Sequence, residues 1–328
     1  MPALSAVVSA TLSGAGRPDR VRQTAGMTHT PRFASVDDVT ERLAAHGYLA
    51  SDEIATTVYL ADQLGKPLLI EGPAGVGKTA LSAAVSAATD GELVRLQCYE
   101  GVDEARALYE WNHAKQLLRI TAAGAHHDAA GADEADWSSV KEDIFTDEFL
   151  LSRPLLTAIR NAHPTVLLID ELDKADVEIE GLLLEVLSDF QVTVPELGTI
   201  RASQTPFVVL TSNATRELSE ALRRRCLYLH IDYPEAELEL RIVRLTVPDL
   251  DKTLAASVVR LVGALREMRL RKSPSVAETI DWARTLVSLG TGGELQPELV
   301  RATLGVVLKH REDIELAVQT LDLDRALA

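Results

Sequence analysis

A glycine-rich octapeptide that comes one residue after an apolar run constrains this chain most. It follows the run 68–70 and reads Gly72-Pro73-Ala74-Gly75-Val76-Gly77-Lys78-Thr79. Because glycine has no Cβ, such a loop can curve until several backbone N–H groups point inward, as a phosphate group requires. The helix-forming stretch 80–88 then places a helix N-terminus, which favours anions, at the end of the loop. A chance glycine-rich turn would lack this strand–loop–helix context, so we expect a nucleotide site.

The side chains that end this loop have distinct expected roles. Lys78 is expected to reach the terminal phosphates of the nucleotide, and the Thr79 hydroxyl to ligate Mg²⁺. Ala80, the next residue, is expected to belong to the same nucleotide-binding site. The loop predicts that a nucleotide binds, but not what the bound nucleotide is used for.

Two acids end the apolar strand that we predict over residues 166–170. If this strand lies beside the one that leads into the loop, Asp170 joins the Mg²⁺ shell through water. Glu171 is then placed to polarise a water for in-line attack on the γ-phosphate. The alternative is an acid pair that caps a helix after a buried strand. Asp173 and Lys174, just beyond, are interpreted as solvated surface charges.

Two further polar positions extend the candidate site. Asn213 ends the next predicted strand, where an amide can hold the attacking water, although an Asn after a strand is usually a turn residue. Arg223, Arg224 and Arg225 directly precede the last strand before the helical part of the chain. Adjacent arginines normally form a solvated surface. An arginine offered to the γ-phosphate of a neighbouring subunit would instead stabilise the charge of the transition state.

Short apolar runs alternate with helical stretches up to about residue 232. We predict strands over 68–71, 94–98, 166–170, 207–213 and 227–231, and their apolar character suits a parallel sheet covered on both faces. Two helices precede them, one that starts at Ser35 and one over 51–64 with Ile54, Val58 and Leu64 on one face. The expected fold class is α/β, with a parallel five-stranded sheet flanked by helices and its ligand at the carboxyl ends of the strands. After Pro234 the pattern predicts a small all-helical C-terminal domain.

These patterns divide the chain into a disordered tail (1–32), an α/β nucleotide-binding domain (33–232) and a helical domain (233–328). The α/β domain carries an insert near 97–120, an acidic loop near 121–143 and a hairpin near 190–201 with Gly198 in its turn. Residues 121–148 contain eight acids and one lysine, a net charge of −7. For His126 and His127 in this stretch, a mobile acidic loop is preferred over a metal site. Met27 is a hypothetical alternative start of the protein.

The overall charge and the cysteines exclude several classes of function. A net charge of −16 argues against a general nucleic-acid binder, because such proteins present a basic face. Cys98 and Cys226 are too few for a disulfide framework or a Cys-rich zinc site, which favours the reducing cytoplasm. No apolar run reaches the roughly 18 residues of a transmembrane helix, so membrane insertion is not expected.

The loop, the Asp-Glu and Asn strand ends, the arginine before the last strand and the helical part together resemble an AAA+ ATPase across 33–328. Two segments are similar to its MoxR branch: 169–175, Ile-Asp-Glu-Leu-Asp-Lys-Ala, and 191–198, Gln-Val-Thr-Val-Pro-Glu-Leu-Gly. Segments 95–101, 107–111, 149–154 and 273–282 are similar to the CoxD-type group within that branch. The resemblance implies ATP with Mg²⁺, and a homo-oligomer in the form of a hexameric ring.

The resemblance also implies roles for single residues. Residues 72–79 would be Walker A, Asp170 and Glu171 Walker B, and Asn213 sensor 1. Arg225 would be the arginine finger, with Arg224 as the alternative. Many MoxR relatives carry a sensor 2 arginine where this chain has Ser275, so either Lys272 or Arg271 substitutes or sensing by the lid is weak. Tyr48 would lie near adenine or pack in the core.

The function implied is a chaperone-like ATPase that remodels a protein client. MoxR relatives commonly work with a von Willebrand A domain partner, and their insert and hairpin face the ring pore or a client. CoxD-type members are linked to the maturation of a molybdenum- and copper-containing carbon monoxide dehydrogenase or related hydroxylases. Two alternatives remain: an AAA+ ATPase acting on DNA, which the acidic balance disfavours, and a P-loop small-molecule kinase, which Asn213 and Arg225 disfavour. A GTPase is disfavoured because the chain has no Asn-Lys-x-Asp motif.

Overall fold

Five parallel strands form the central sheet of the protein in a computed structural model. The model describes residues 29–128, 144–293 and 295–320, with 123–128 described by their backbone. The strand order is β2-β5-β8-β1-β9. The strands of this sheet are β1 (Leu68–Glu71), β2 (Glu92–Gln97), β5 (Thr165–Asp170), β8 (Phe207–Ser212) and β9 (Leu227–His230).

The three central strands are buried at every position, whereas the edge strands β2 and β9 are partly exposed. Alternate residues of β1 point to opposite faces, with Leu69 in one core and Leu68 and Ile70 in the other. The predicted five-stranded α/β fold is confirmed, and strand ends differ from the predicted ones by at most two residues. Because parallel strands place their carboxyl ends together, residues at the ends of β1, β2, β5 and β8 meet at one edge.

Helices cover both faces of the sheet. One face carries the first three helices, and its core contains Phe33, Val58 and Leu81. On the other face, the core contains Leu155, Ile159 and Leu183. The helices of the α/β part are α1 (Val36–Ala45), α2 (Asp52–Leu64), α3 (Lys78–Ala88), α4 (Glu104–Ala107), α5 (His113–Asp128), α6 (Pro154–Arg160), α7 (Val177–Asp189) and α8 (Glu220–Arg223).

Local capping explains where the first two helices begin. The Ser35 hydroxyl accepts a hydrogen bond from the backbone of Asp38, and the Ser51 hydroxyl does the same for Ile54. Both contacts satisfy a backbone N–H that has no partner within the helix. The prediction for Leu64 was wrong, because this side chain is 58% exposed, and the buried face of α2 instead carries Ala55, Val58, Ala61 and Asp62.

The predicted tail boundary at residue 32 was also wrong, because the segment just before Phe33 is fastened to the α/β part. The Arg32 guanidinium lies 3.1 Å from Asp62 Oδ1 and donates to the carbonyl of Thr205 at 2.5 Å. The backbone N–H groups of Arg32 and Phe33 both donate to Asp62 Oδ2. Residues 1–28, including Met27, lie outside the described residues.

The interruptions of the α/β part form short additional elements. The insert contains α4, a ladder of β3 (Tyr109–Trp111) with β4 (Leu150–Ser152), and helix α5, which continues to Asp128. The loop expected from residue 121 is therefore helical up to 128, and residues 129–143 and the side chains of His126 and His127 lie outside the described residues. The hairpin pairs β6 (Gln191–Val194) with β7 (Gly198–Arg201). Gly198 opens the second strand opposite Val194 and does not lie in the turn, which consists of residues 195–197.

In the part of the chain that the structure describes, five helices follow the sheet and have a core of their own. Trp282 is fully buried at its centre and donates from Nε1 to the hydroxyl of Thr303 at 2.8 Å. A buried ion pair joins Arg266 to Glu239 at 2.5 Å, and Thr279 donates to the same carboxylate. These helices are α9 (Ala236–Thr246), α10 (Lys252–Glu267), α11 (Val276–Ser288), α12 (Pro297–Val307) and α13 (Arg311–Thr320). Among the residues described, no helix is both long and apolar enough to cross a membrane.

Candidate functional site

The glycine-rich loop joins β1 to α3 at the carboxyl edge of the sheet. A Cβ at Gly72, whose φ is +150°, would clash with the carbonyl oxygen of Ile231 just beyond β9. Only glycine allows the loop to pass this close to the neighbouring backbone. The loop ends at Gly77, where α3 begins with Lys78. The predicted strand–loop–helix context of the loop is therefore present, with the helix N-terminus at the phosphate-binding end.

The ammonium group of Lys78 is buried among oxygen atoms. It donates to the carbonyl groups of Gly72 and Pro73 at 2.6 and 2.7 Å and to Asn213 Oδ1 at 2.8 Å. Burial lowers the pKa of Lys78, while the charges of Asp173, Asp170 and Glu171 act in the opposite direction. The structure thus brings the lysine of the loop to the asparagine at the end of β8.

The Thr79 hydroxyl faces the first acid of β5, 3.2 Å from Asp170 Oδ1. Asp170 is almost fully buried, and its Oδ1 also accepts a hydrogen bond of 2.5 Å from Thr211. Hydroxyl and carboxylate oxygens are the hard ligands that Mg²⁺ prefers. The two residues predicted to hold the metal therefore lie together and have suitable chemistry for it.

Glu171 has a left-handed backbone, with φ of +56° and ψ of +47°, which is rare for a residue other than glycine. Its backbone N–H donates to the Thr211 hydroxyl at 2.9 Å, which supports this conformation. Its carboxylate accepts hydrogen bonds from Lys174 at 2.6 Å, Gln97 at 2.9 Å and Asn213 at 3.4 Å. The side chain of Glu171, which directly follows β5, is therefore directed into the site and makes no helix-capping hydrogen bond.

The expectation of a solvated surface charge was wrong for Asp173, whereas Lys174 is exposed as expected. Asp173 is only 4% exposed and accepts hydrogen bonds from the backbone of Asn213 and from the backbone and hydroxyl of Thr215. Burial alone would raise the pKa of Asp173, but these hydrogen bonds lower it below the usual range. Lys174 is exposed, yet it pairs with Glu171, and this contact raises the pKa of Lys174.

Three polar residues of the site were not predicted as functional: Arg95, Gln97 and Thr211. Arg95 and Gln97 lie two apart on β2, so they share a face, and Gln97 pairs in register with Asp170. Arg95 Nη2 donates to Asp170 Oδ2 at 2.6 Å and to the side chain of Gln97. Polar residues that alternate at the end of an apolar strand were the signal available in the sequence.

The arginine triplet divides into different environments. Arg223 lies 2.6 Å from Glu71 at the end of β1 and stacks over the ring of Tyr228. Arg224 pairs with Glu220 one turn away, with both side chains largely exposed. Arg225 is exposed, and its guanidinium donates to Ser188 Oγ at 3.1 Å and to the carbonyl of Ala221. Arg225 and Arg224 were predicted as candidates for the arginine finger. Among the described residues, neither side chain contacts the glycine-rich loop of its own chain.

The helical part touches the loop at Ser275, the residue in the expected sensor 2 position. A Cβ at Gly75 would clash with Ser275 Oγ, and the backbone of Ala277 donates to the Gly75 carbonyl at 3.3 Å. Ser275 is buried and caps α11, with its own hydroxyl and backbone bound to the carboxylate of Glu278.

The two proposed substitutes for sensor 2 are engaged elsewhere. Lys272 lies 3.6 Å from Glu278 Oε1, and the backbone of Arg271 donates to Asp313. We find no contact between either side chain and the glycine-rich loop among the described residues.

A cavity of about 1120 Å³ extends from these groups between the α/β part and the helices that follow it. Its polar end contains Lys78, Thr79, Asp170, Glu171 and Asn213, and its apolar end contains Ile54, Leu238, Ile242, Val276 and Ile280. Tyr48 lines the cavity and also packs against the core, and burial raises the pKa of its hydroxyl. Both interpretations of Tyr48 are thus compatible with its position. A long cavity with one charged and one apolar end suits a nucleoside phosphate.

Comparisons with known proteins agree with this architecture. Residues 67–226, just under half of the chain, match the family model described as "AAA domain (dynein-related subfamily)". An uncharacterized protein of Staphylococcus haemolyticus is 24% identical over 274 residues, covering 81% of this chain and 92% of the relative. An uncharacterized protein of Staphylococcus epidermidis is 23% identical over 258 residues, covering 76% of this chain and 86% of the relative.

Among solved structures, two point mutants of RuvB from Thermotoga maritima are similar to this chain. The first has a TM-score of 0.48 at 15% identity and covers 89% of this chain and 79% of that chain. The second has a TM-score of 0.47 at 15% identity and covers 90% of this chain and 80% of that chain. Residues 67–226 of this chain therefore match an AAA domain, and the fold is a sheet of five parallel strands flanked by helices and followed by C-terminal helices.

Proposed function

We propose that this protein hydrolyses ATP in the cavity between the sheet edge and the C-terminal helices. The observation that carries the proposal is the convergence of three elements, the start of α3 and the ends of β5 and β8, on one point. Lys78 lies 2.8 Å from Asn213, Thr79 lies 3.2 Å from Asp170, and Asn213 lies 3.4 Å from Glu171. A phosphate-binding lysine, a metal-binding pair, a carboxylate base and an amide are the groups that phosphoryl transfer to water requires.

Each side chain has a defined task in this proposal. The N–H groups of the loop and Lys78 bind the phosphates, and Thr79 with Asp170 holds Mg²⁺, which supplies neutralising charge to the phosphates when bound. Glu171 accepts a proton from the attacking water, and the Asn213 amide orients that water. The contacts of Glu171 with Gln97 and Lys174 hold its carboxylate at the edge of the cavity.

The test is the isosteric substitution Glu171→Gln, with Glu185→Gln on the exposed face of α7 as the matched control. The wild type and the control are expected to release phosphate from ATP, whereas E171Q binds ATP but turns it over about a hundredfold more slowly. Near-normal turnover by E171Q would refute the role of this residue. Phosphate found on a metabolite would support the kinase alternative, and DNA-stimulated turnover the DNA-acting one.

The oligomer is a further part of the proposal. Arg225, with Arg224 as the alternative, would complete the site of a neighbouring subunit in a homo-oligomeric, hexameric ring. The support is that both residues are exposed and that, in the described part of the chain, their guanidinium groups contact Glu220, Ser188 and Ala221 rather than the nucleotide site. Mixing inactive E171Q with inactive R225A subunits is expected to restore part of the activity, because some interfaces then combine an intact Glu171 with an intact Arg225. Mixed subunits that assemble and stay inactive would contradict an arginine supplied by the neighbour.

The finer assignment rests on sequence resemblance. We infer a MoxR-type, CoxD-like ATPase of the cytoplasm that remodels a protein client together with a von Willebrand A domain partner. Maturation of a molybdenum hydroxylase or carbon monoxide dehydrogenase is the proposed task. The E171Q variant, loaded with ATP and used as bait in its native cells, is expected to retain a von Willebrand A protein and molybdenum hydroxylase subunits. Retention of neither class, with ring assembly intact, would contradict this assignment.

A further inference from the structure

Arg95 makes an ion pair for which the proposed reaction has no use. This side chain, from the edge strand β2, is half exposed, whereas the Asp170 side chain that it meets is 4% exposed. The distance from Arg95 Nη2 to Asp170 Oδ2 is 2.6 Å. Arg95 also lines the nucleotide cavity, on the side of the acids of β5.

The contacts of Asp170 separate its two carboxylate oxygens. Oδ1 accepts from the hydroxyls of Thr211 and Thr79, which are neutral donors from β8 and α3. Oδ2 accepts from Arg95, and the Thr79 hydroxyl lies almost equally far from the two oxygens, at 3.3 Å from Oδ2 and 3.2 Å from Oδ1. Among the described residues, Arg95 is therefore the cation in direct contact with the buried Asp170 carboxylate, and a buried carboxylate without a cation is costly. Lys78 does not replace it, because its ammonium binds the oxygens of Gly72, Pro73 and Asn213.

A divalent cation held by Thr79 and Asp170 makes the Arg95 contact unfavourable. The metal would neutralise the same carboxylate, and its charge would repel the guanidinium across a few ångströms. The hydroxyls of Thr79 and Thr211 are fixed by α3 and β8, whereas the half-exposed Arg95 side chain has solvent to move into.

We propose that Arg95 is a positioning residue that balances the charge of Asp170 before Mg²⁺ arrives and releases the carboxylate when Mg²⁺ binds. This inference rests on the proposed function. It makes Arg95 and Mg²⁺ competitors for one carboxylate, so the metal must displace the guanidinium in order to bind. The competition sets the Mg²⁺ concentration at which the nucleotide site becomes loaded.

The experiment is a Mg²⁺ titration of the full chain in the presence of a fluorescent, non-hydrolysable ATP analogue. Arg95→Gln is expected to lower the Mg²⁺ concentration at half-saturation about fivefold, the equivalent of one partly exposed ion pair. Arg95→Lys keeps a cation but pairs less well, and a smaller downward shift is expected. The control Arg153→Gln breaks an equally short pair, 2.6 Å from Arg153 to Glu110, and is expected to shift nothing.

The outcomes separate this inference from the proposed function. A wild type that does not bind the analogue at any Mg²⁺ concentration refutes the nucleotide site itself. If the wild type binds the analogue but R95Q needs the same or a higher Mg²⁺ concentration for half-saturation, only the competition between Arg95 and Mg²⁺ is refuted. Weaker binding of the analogue by R95Q at saturating Mg²⁺ would assign Arg95 to the nucleotide rather than to Asp170. If R95Q fails to fold, the same Mg²⁺ titration of R95K tests the competition between Arg95 and Mg²⁺ instead.

Discussion

Replacing Gly75 by alanine tests the contact between the glycine-rich loop and the C-terminal helices. Gly75 has φ of +77°, and a Cβ added there would clash with Ser275 Oγ and lie 2.7 Å from Ser275 Cβ. Ser275 cannot easily turn away, because it is buried and its hydroxyl and backbone both bind Glu278. Gly75→Ala is therefore expected to push α11 away from the loop.

The expected loss of stability has two parts. An alanine in a left-handed conformation costs about 1–2 kcal/mol. Forcing a methyl group into an occupied contact adds about 1–3 kcal/mol, so the total for G75A is about 2–5 kcal/mol. Gly101 provides the matched control, since its φ is +80° and a Cβ there would meet nothing within 4 Å. G101A should show the conformational part of the cost alone.

Urea unfolding followed by circular dichroism compares the two variants, and binding of the ATP analogue shows the effect on the site. G75A is expected to lose more unfolding free energy than G101A and to bind the analogue more weakly. In the double variant G75A/S275A the losses should be less than additive, because removing Oγ relieves the closest contact. Equal losses for G75A and G101A, with additive behaviour of the double variant, would refute the proposed contact.

Two further substitutions test the support beneath the site. Asp173→Asn is expected to lower the free energy of unfolding by about 2 kcal/mol at pH 7, because it weakens the acceptor of the Thr215 and Asn213 hydrogen bonds. Since the pKa of Asp173 is depressed in the folded state, the stability that Asp173 contributes is present above its unfolded-state pKa and is lost as the pH falls through its folded-state pKa. The difference in unfolding free energy between D173N and the wild type, measured in urea, should therefore shrink below about pH 4. A difference that stays constant with pH would contradict this role of Asp173. Thr211→Val removes the hydroxyl that bridges Asp170 and the Glu171 backbone, and is expected to slow ATP turnover about tenfold, with Thr211→Ser close to wild type. Equal turnover by both variants would contradict this bridging role.

The sheet could be predicted because its signal is local. The apolar runs at 68–71 and 166–170 have lengths and compositions typical of buried parallel strands, and both are buried at every position. Ser35 and Ser51 mark helix starts through contacts within one turn. The position of the glycine-rich loop, between such a strand and a helix, follows from the same local rules.

Residues whose role depends on distant partners could not be predicted in this way. Asp173 stands in a charged run typical of a surface, and only the fold shows that Thr215, 42 residues later, encloses it. Ser275 was expected as a missing sensor, whereas it contacts Gly75, 200 positions earlier in the chain. Arg95 gave only a weak signal, since an edge strand usually carries charges. Long-range neighbours decide these roles, and one sequence does not contain their distances.

The hydrogen-bond capacity of Lys78 has a consequence for the arrival of a phosphate group. An ammonium group has three N–H donors, and here each has an oxygen acceptor. A phosphate oxygen can therefore bind Nζ only in exchange for one of them. The Gly72 and Pro73 carbonyls belong to the backbone of the loop itself, whereas the acceptor oxygen of Asn213 belongs to a side chain that can rotate. The exchange then falls on Asn213, so filling of the phosphate position and release of the Asn213 amide oxygen from Lys78 are a single event.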